Sequence, residues 1–245
     1  MKLLVVGAGE MGRWFARSVD SSVSDLDVAF TDLDEEAARA AAEGVDGRTV
    51  ESETGESFDV ICIAVPLPAA ADAIAEYAAR ATEAVVDVSG AMADPISAMA
   101  EHAPEVERVS FHPLFSATNA PGNVAVVADH VGPVTDRLRD ALEAAGNDVF
   151  ETTADEHDEA METVQARAHA AVLAFGLAAD DVDDAFATPI SEGLFDLLEQ
   201  VTDGDPRVYA DIQDAFDGAD DVAAAAAQLA DADRETFQRL YEDAR

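Results

Sequence analysis

The chain has 245 residues and a formal net charge of −38, with 52 acidic side chains against 14 basic ones. That excess repels polyanions and argues against nucleic acid or an anionic membrane as a partner. The length allows one large domain or two small ones, and 49% hydrophobic residues argue against the disorder that such dense charge often brings.

Lys2 to Val6 is a short apolar run closed by glycine, and Met11 to Val19 then reads as a helix. Asp27 to Thr31 is a second strand, followed by an Ala-rich helix from Glu35 to about Glu43. Asp59 to Val65 is an unbroken apolar run, as expected for a strand buried on both faces of a parallel sheet. Pro66 and Pro68 stop it, and Ala69 to Ala81 is helical. Ala84 to Val88 is a strand, Pro95 to His102 a helix, Val109 to Phe111 a short strand and Asn123 to Val127 another. Val134 to Ala145 reads as a helix, and Asp148 to Glu151 closes the set. This α/β alternation predicts a Rossmann-type, doubly wound parallel sheet.

Beyond Phe150 the pattern changes. Thr153-Ala154-Asp155-Glu156 is a capping-box signature, and from there to Arg245 helices follow without strands. The reading is a dinucleotide-binding domain at 1–152 and an all-helical domain at 153–245. Cys62, the single cysteine, excludes an internal disulfide and lies in an apolar run, where it reads as a small buried hydrophobe. No apolar run is long enough to cross a bilayer, and Lys2 leads directly into a glycine loop rather than a signal peptide. A cytoplasmic location is expected.

The loop Gly7-Ala8-Gly9-Glu10-Met11-Gly12 follows a strand and opens a helix, and Asp32 stands at the end of the second strand. In that context the spacing is a dinucleotide fingerprint. Gly7 permits the tight turn, Gly9 lets the backbone approach a pyrophosphate, and Gly12 lets helix and strand pack closely. The helix start offers N–H donors and a favourable dipole to the phosphates. Asp32 can accept from ribose hydroxyls and would repel a 2′-phosphate, which favours NAD over NADP, and Asp34 adds to that sign. Val65 and Pro66 lie at the edge where a cofactor rests in such sheets, although Pro66 is equally a plain strand stop.

Hydride transfer to a nicotinamide usually needs a neighbouring group that takes the substrate's proton. His112, in His112-Pro113-Leu114-Phe115, follows a strand where such a site forms. An unperturbed value of ~6.5 suits a base at neutral pH; the alternative is a purely structural histidine. His157 and His169 lie on the next helix, twelve positions apart, which on an ideal helix is about 120°. They need not point into one site, and hydride transfer requires no metal between these histidines.

Four blocks carry a resemblance to the prephenate dehydrogenase family, also written TyrA. They are the loop Gly7 to Gly12, the block His112 to Phe115, the run from Asp155-Glu156-His157-Asp158 to Ala174-Phe175-Gly176, and Asp205-Pro206-x-x-Tyr209-Ala210-Asp211-Ile212. The resemblance implies oxidative decarboxylation of prephenate to 4-hydroxyphenylpyruvate in tyrosine biosynthesis, with NAD as hydride acceptor. It gives His112 the catalytic role, His169 contact with substrate, and His157 either contact or an orienting role. It also implies dimerisation through the C-terminal helices, where Leu194, Phe195, Leu197, Leu198 and Val201 form an apolar stripe.

The chain departs from the family at two places. Family members commonly carry Ser-Val-Lys after the strand corresponding to Val85–Val88, where this chain has Val88-Ser89-Gly90-Ala91-Met92, so either Ser89 acts from a neighbouring position or the serine's role is lost. The family's carboxylate-binding arginine falls by count on Gln200, which leaves Arg167 and Arg207 as replacements, with a surface ion pair as the alternative for Arg207. Arogenate as substrate and a catalytically silent NAD-binding sensor therefore stay open. A lysine-dependent reductase of similar plan does not, because Lys2 is the only lysine. The scarcity of lysine among so many acids resembles cytosolic proteins of salt-accumulating archaea, in which salt screens self-repulsion.

Overall fold

The computed structural model describes residues 1–245, the side chain of Asp184 excepted. The chain divides into two compact units, Met1–Asp158 and Glu159–Arg245.

In the first unit eight strands form one sheet in the order β3-β2-β1-β4-β5-β6-β7-β8. They are β1 Lys2–Val6, β2 Asp27–Thr31, β3 Arg48–Thr49, β4 Phe58–Ile63, β5 Ala81–Asp87, β6 Glu107–Pro113, β7 Asn123–His130 and β8 Asp148–Glu151. Between them run α1 Glu10–Asp20, α2 Glu35–Glu43, α3 Ala70–Tyr77, α4 Ala93–His102 and α5 Pro133–Ala144. Apolar side chains on alternate strand positions feed two layers. Val5, Val86, Phe111 and Val126 pack with Phe15, Ala38 and Leu138 from α1, α2 and α5. Ile61, Ile63 and Val85 pack with Ile74, Tyr77 and Met99 from α3 and α4. Helices on both faces explain why β4 is apolar without alternation.

Two features depart from the sequence reading. Strand β3, two residues long, is too short to leave a periodic signal; it is held beside β2, where Arg48 pairs with Asp27 and Glu56. Strand β7 runs antiparallel to β6, with His112 opposite Ala125, so the sheet is parallel except at this pair. The cause is the connection. Only residues 114–122 join the two strands, with a single 3-10 turn at Ala117–Asn119, and a parallel crossover needs a dozen residues or more, usually with a helix.

The helical run after β8 begins with α6, Ala154–Met161, where Thr153 Oγ1 accepts the Glu156 N–H at 3.2 Å. A π-helical segment, Glu162–Arg167, leads into α7, Ala168–Ala178. Because that segment is wound more widely than an α-helix, the 120° relation between positions 157 and 169 does not hold. The second unit continues with α8 Pro189–Thr202, α9 Pro206–Ala215, α10 Ala219–Asp231 and α11 Arg234–Asp243. Gln213 Nε2 donates to the Ala166 carbonyl at 2.9 Å, supplying a partner within the π segment. Leu198 packs where a side chain on Gly176 would otherwise lie, and Phe175 meets Phe195 edge to face at 5.1 Å.

Candidate active site

The strand order changes direction between β1 and β4, and the crevice beyond the carboxyl ends of these strands is where ligands bind in such sheets. The glycine loop occupies that crevice. Gly7 has φ +101°, and a Cβ there would lie 2.3 Å from the Ala64 carbonyl oxygen. At Gly12 a Cβ would lie 2.2 Å from the Gly7 oxygen. Gly9 differs, because nothing stands within 4 Å of the space its side chain would fill. Gly9 is also the N-cap of α1 and supplies no side-chain cap, so the helix start, with Glu10 and Met11, keeps donors for a ligand.

Asp32 follows β2, and both its oxygens are tied to backbone. Oδ2 accepts the Ala8 N–H at 2.6 Å and Oδ1 the Asp34 N–H at 2.8 Å. The carboxylate thus shapes the loop, and each oxygen keeps a lone pair for a ribose hydroxyl. Val65 is half-buried and Pro66 exposed; β4 ends earlier than read, at Ile63, with the Ala64 N–H still bonded to Val6 at 2.7 Å. The open space at Gly9, the uncapped helix start and the aspartate after β2 together fit a dinucleotide.

His112 lies near the carboxyl end of β6, on the sheet face opposite Phe111, and is buried. Its Nδ1 is 2.7 Å from His157 Nε2, and the rings meet edge to face at 4.9 Å. The other nitrogen of His157, Nδ1, is 2.7 Å from Asp158 Oδ1. Asp158 in turn accepts the N–H groups of Met92 at 3.0 Å and Ala93 at 3.1 Å, where α4 begins. Burial opposes the charge on Asp158, but the bonds from His157, Met92 and Ala93 hold its carboxyl below the usual range. Burial, then the proximity of His157, pushes His112 down to about 3, with Asp158 opposing. The ordinary value expected from sequence does not apply in place, and His112 is neutral at physiological pH.

Beside these rings lies a second polar group. Asp87 ends β5, directly opposite Ser110 of β6, and accepts the Ser89 N–H at 2.9 Å. Burial raises its carboxyl to about 6, against the opposing influence of Ser110 and Ser89. The hydroxyls of both serines and Oδ1 of Asp87 are buried without a partner of good hydrogen-bonding geometry. Gly90 adjoins the histidine: a side chain there would begin 3.7 Å from His112 Nε2. In the connection from β6 to β7, Phe115 packs edge to face on Trp14 of α1 at 5.4 Å, tying the histidine block to the glycine-loop helix.

The remaining expected residues lie in the second unit. His169 is partly buried, its Nδ1 lacks a partner, and its ring meets Tyr209 edge to face at 4.8 Å. Burial lowers its basicity. Arg167 is committed to Glu162, Thr163 and Asp221. Arg207 pairs with Asp205 two residues away and is solvent-exposed, and Gln200 is exposed on α8. Both arginines are paired with acidic side chains of the same unit. Sequence reasoning assigned no role to Asp158, Asp87, Ser110 or Gly90. Only Asp158 carried a signal, as the acid directly after His157.

The nucleotide-binding domain of prephenate dehydrogenase matches residues 15–129. The chain is 33% identical to a 4-amino-4-deoxyprephenate dehydrogenase of Streptomyces pristinaespiralis, covering 89% of this chain and 78% of that one. It is 24% identical to a probable arogenate/prephenate dehydrogenase of Methanocaldococcus jannaschii, covering 86% of this chain and 50% of that protein. In fold it is similar to prephenate dehydrogenase from A. aeolicus solved with hydroxyphenyl propionate and NAD+, with a TM-score of 0.75, 18% identity, and coverage of 99% and 92% of the two chains. The chain belongs to the prephenate dehydrogenase family.

Proposed function

We propose that this protein oxidises and decarboxylates prephenate, with NAD as the hydride acceptor and His112 as the base. The observation that carries this reading is the line of buried His112, buried His157 and partly buried Asp158 at the carboxyl edge of a sheet whose glycine loop fits a dinucleotide. When bound, NAD supplies the acceptor for the hydride that leaves the hydroxyl-bearing ring carbon. Gly7, Gly9 and Gly12 with the start of α1 would hold its pyrophosphate, Asp32 its ribose, and Val65 and Pro66 would border it. The carboxylate of Asp32, which would repel a 2′-phosphate, favours NAD.

His112 takes the proton of the ring hydroxyl as a carbonyl forms at that carbon. Loss of carbon dioxide then leaves its bonding electron pair in the ring, which becomes aromatic. The resulting phenolate recovers the proton from His112, so no net proton is released. Much of the driving force lies in this aromatisation, and the protein contributes orientation and a place for one proton.

A second reading is favoured by the Streptomyces relative, whose named substrate carries an amino group in place of the ring hydroxyl. The same neutral imidazole can take a proton from an amine as from a hydroxyl. NADH formation in concentrated KCl, with prephenate, arogenate or 4-amino-4-deoxyprephenate and either NAD or NADP, separates these readings. Turnover of prephenate with NAD supports the proposal. Turnover of only the amino analogue or only arogenate reassigns the substrate, and NAD binding without any turnover makes the chain a sensor.

A further inference from the structure

The hydrogen bonds behind His112 have a direction, and that direction starts at a carboxylate. Asp158 accepts two backbone N–H groups at the start of α4 and faces His157 Nδ1 at 2.7 Å. An ionised carboxylate only accepts, so His157 Nδ1 must carry a hydrogen. In a neutral imidazole the other nitrogen then presents a lone pair. That nitrogen, Nε2, lies 2.7 Å from His112 Nδ1, which must therefore be the donor. A neutral His112 protonated at Nδ1 has its lone pair at Nε2, the nitrogen beside Gly90.

We propose that His157 and Asp158 are positioning residues that lock His112 in its Nδ1–H tautomer and so make Nε2 its basic nitrogen. The ring orientation is fixed by the same bonds, since the two imidazoles meet edge to face and Asp158 is anchored to backbone rather than to a mobile side chain. When Nε2 accepts a proton, the cation keeps its Nδ1–H bond to His157, and the charge of Asp158 lies behind it. The catalytic use of the tautomer rests on the function proposed above; the tautomer itself can be measured without turnover.

Long-range nitrogen–proton NMR on the full chain, labelled at histidine and held at neutral pH in concentrated KCl, reports which ring nitrogen carries the hydrogen. His112→Asn assigns the His112 signals among the five histidines. Nδ1–H on both His112 and His157 is expected. A His112 found as the Nε2–H form overturns the proposal, and this readout in the unmodified protein does not depend on any variant folding. Asp158→Asn removes the acceptor-only group; the expected result is a mixed His112 tautomer and a fall in kcat of at least ~10²-fold with NAD affinity unchanged. Asp158→Asn with the tautomer and kcat both unaltered also overturns it. A locked tautomer in a protein that turns over none of the ring substrates instead removes the proposed function and leaves the lock standing.

Discussion

The role of base proposed for His112 makes two demands. A base must be free of its proton at working pH, yet must become a stable cation once it takes one. Burial satisfies the first by pushing its value down to about 3, and Asp158, two hydrogen bonds away, serves the second. His112→Asn keeps a polar side chain of similar reach and removes the base, so kcat is expected to fall ~10²–10⁴-fold while NAD still binds; steady-state kinetics beside calorimetric NAD titration checks both halves. Asp87 makes a separate prediction. Its carboxyl is raised from 3.8 to about 6, so the folded chain holds that proton more tightly than the unfolded one. The stability this contributes is fully present below 3.8 and is lost as pH rises through about 6. Asp87→Asn cannot ionise and should be more stable than the parent at about pH 8, by at most about 2–3 kcal/mol, with the gap closing near pH 4. Thermal unfolding followed by circular dichroism at the two pH values tests the sign.

At the level of elements, the loop between β1 and α1 separates folding from binding. Gly7 has a positive φ and a carbonyl where its side chain would go, so Gly7→Ala should destabilise the first unit by more than ~1 kcal/mol. Gly9 faces open space, so Gly9→Ala should leave stability within ~0.5 kcal/mol yet weaken NAD binding tenfold or more. Denaturant unfolding together with cofactor titration distinguishes the two, and equal stability losses would contradict the assignment. This loop was legible in sequence because its glycine spacing records a local turn. Strand β7 was not, although the short segment from 114 to 122 held the clue: alternation of strands and helices gives element type but not direction. The π segment was hidden for a different reason, since its partner, Gln213, lies 47 positions from Ala166.

For the whole molecule, the net charge of −38 dominates behaviour in solution. Screening lengths contract from ~30 Å at 0.01 M salt to ~3 Å at 1 M. The melting temperature should therefore rise by at least ~5 °C between dilute buffer and molar KCl, as differential scanning fluorimetry in a KCl series would show. The helical unit leaves Leu177, Phe186 and Ile190 exposed, at 91%, 76% and 79%. Exposed apolar side chains fit the homodimer expected from the family resemblance; sedimentation at high salt should give twice the chain mass of 25.7 kDa.

By itself the sequence determined the glycine loop, the alternation of strands and helices and the change to helices after β8, and it singled out His112 as a candidate, because each is written in local spacing or in one short block. It also carried the family resemblance, since the blocks keep their order along the chain. Tertiary structure alone decided that His112 Nδ1 lies against His157, that Gly90 stands beside His112 Nε2, and that Asp158 stands behind His157 while bound to the start of α4. It also showed Arg167 and Arg207 already paired with acids of their own unit. The physical reason is range. Periodicity and glycine spacing are set within a few residues, whereas burial, tautomer and ion pairing depend on groups brought together from positions as distant as 92 and 158.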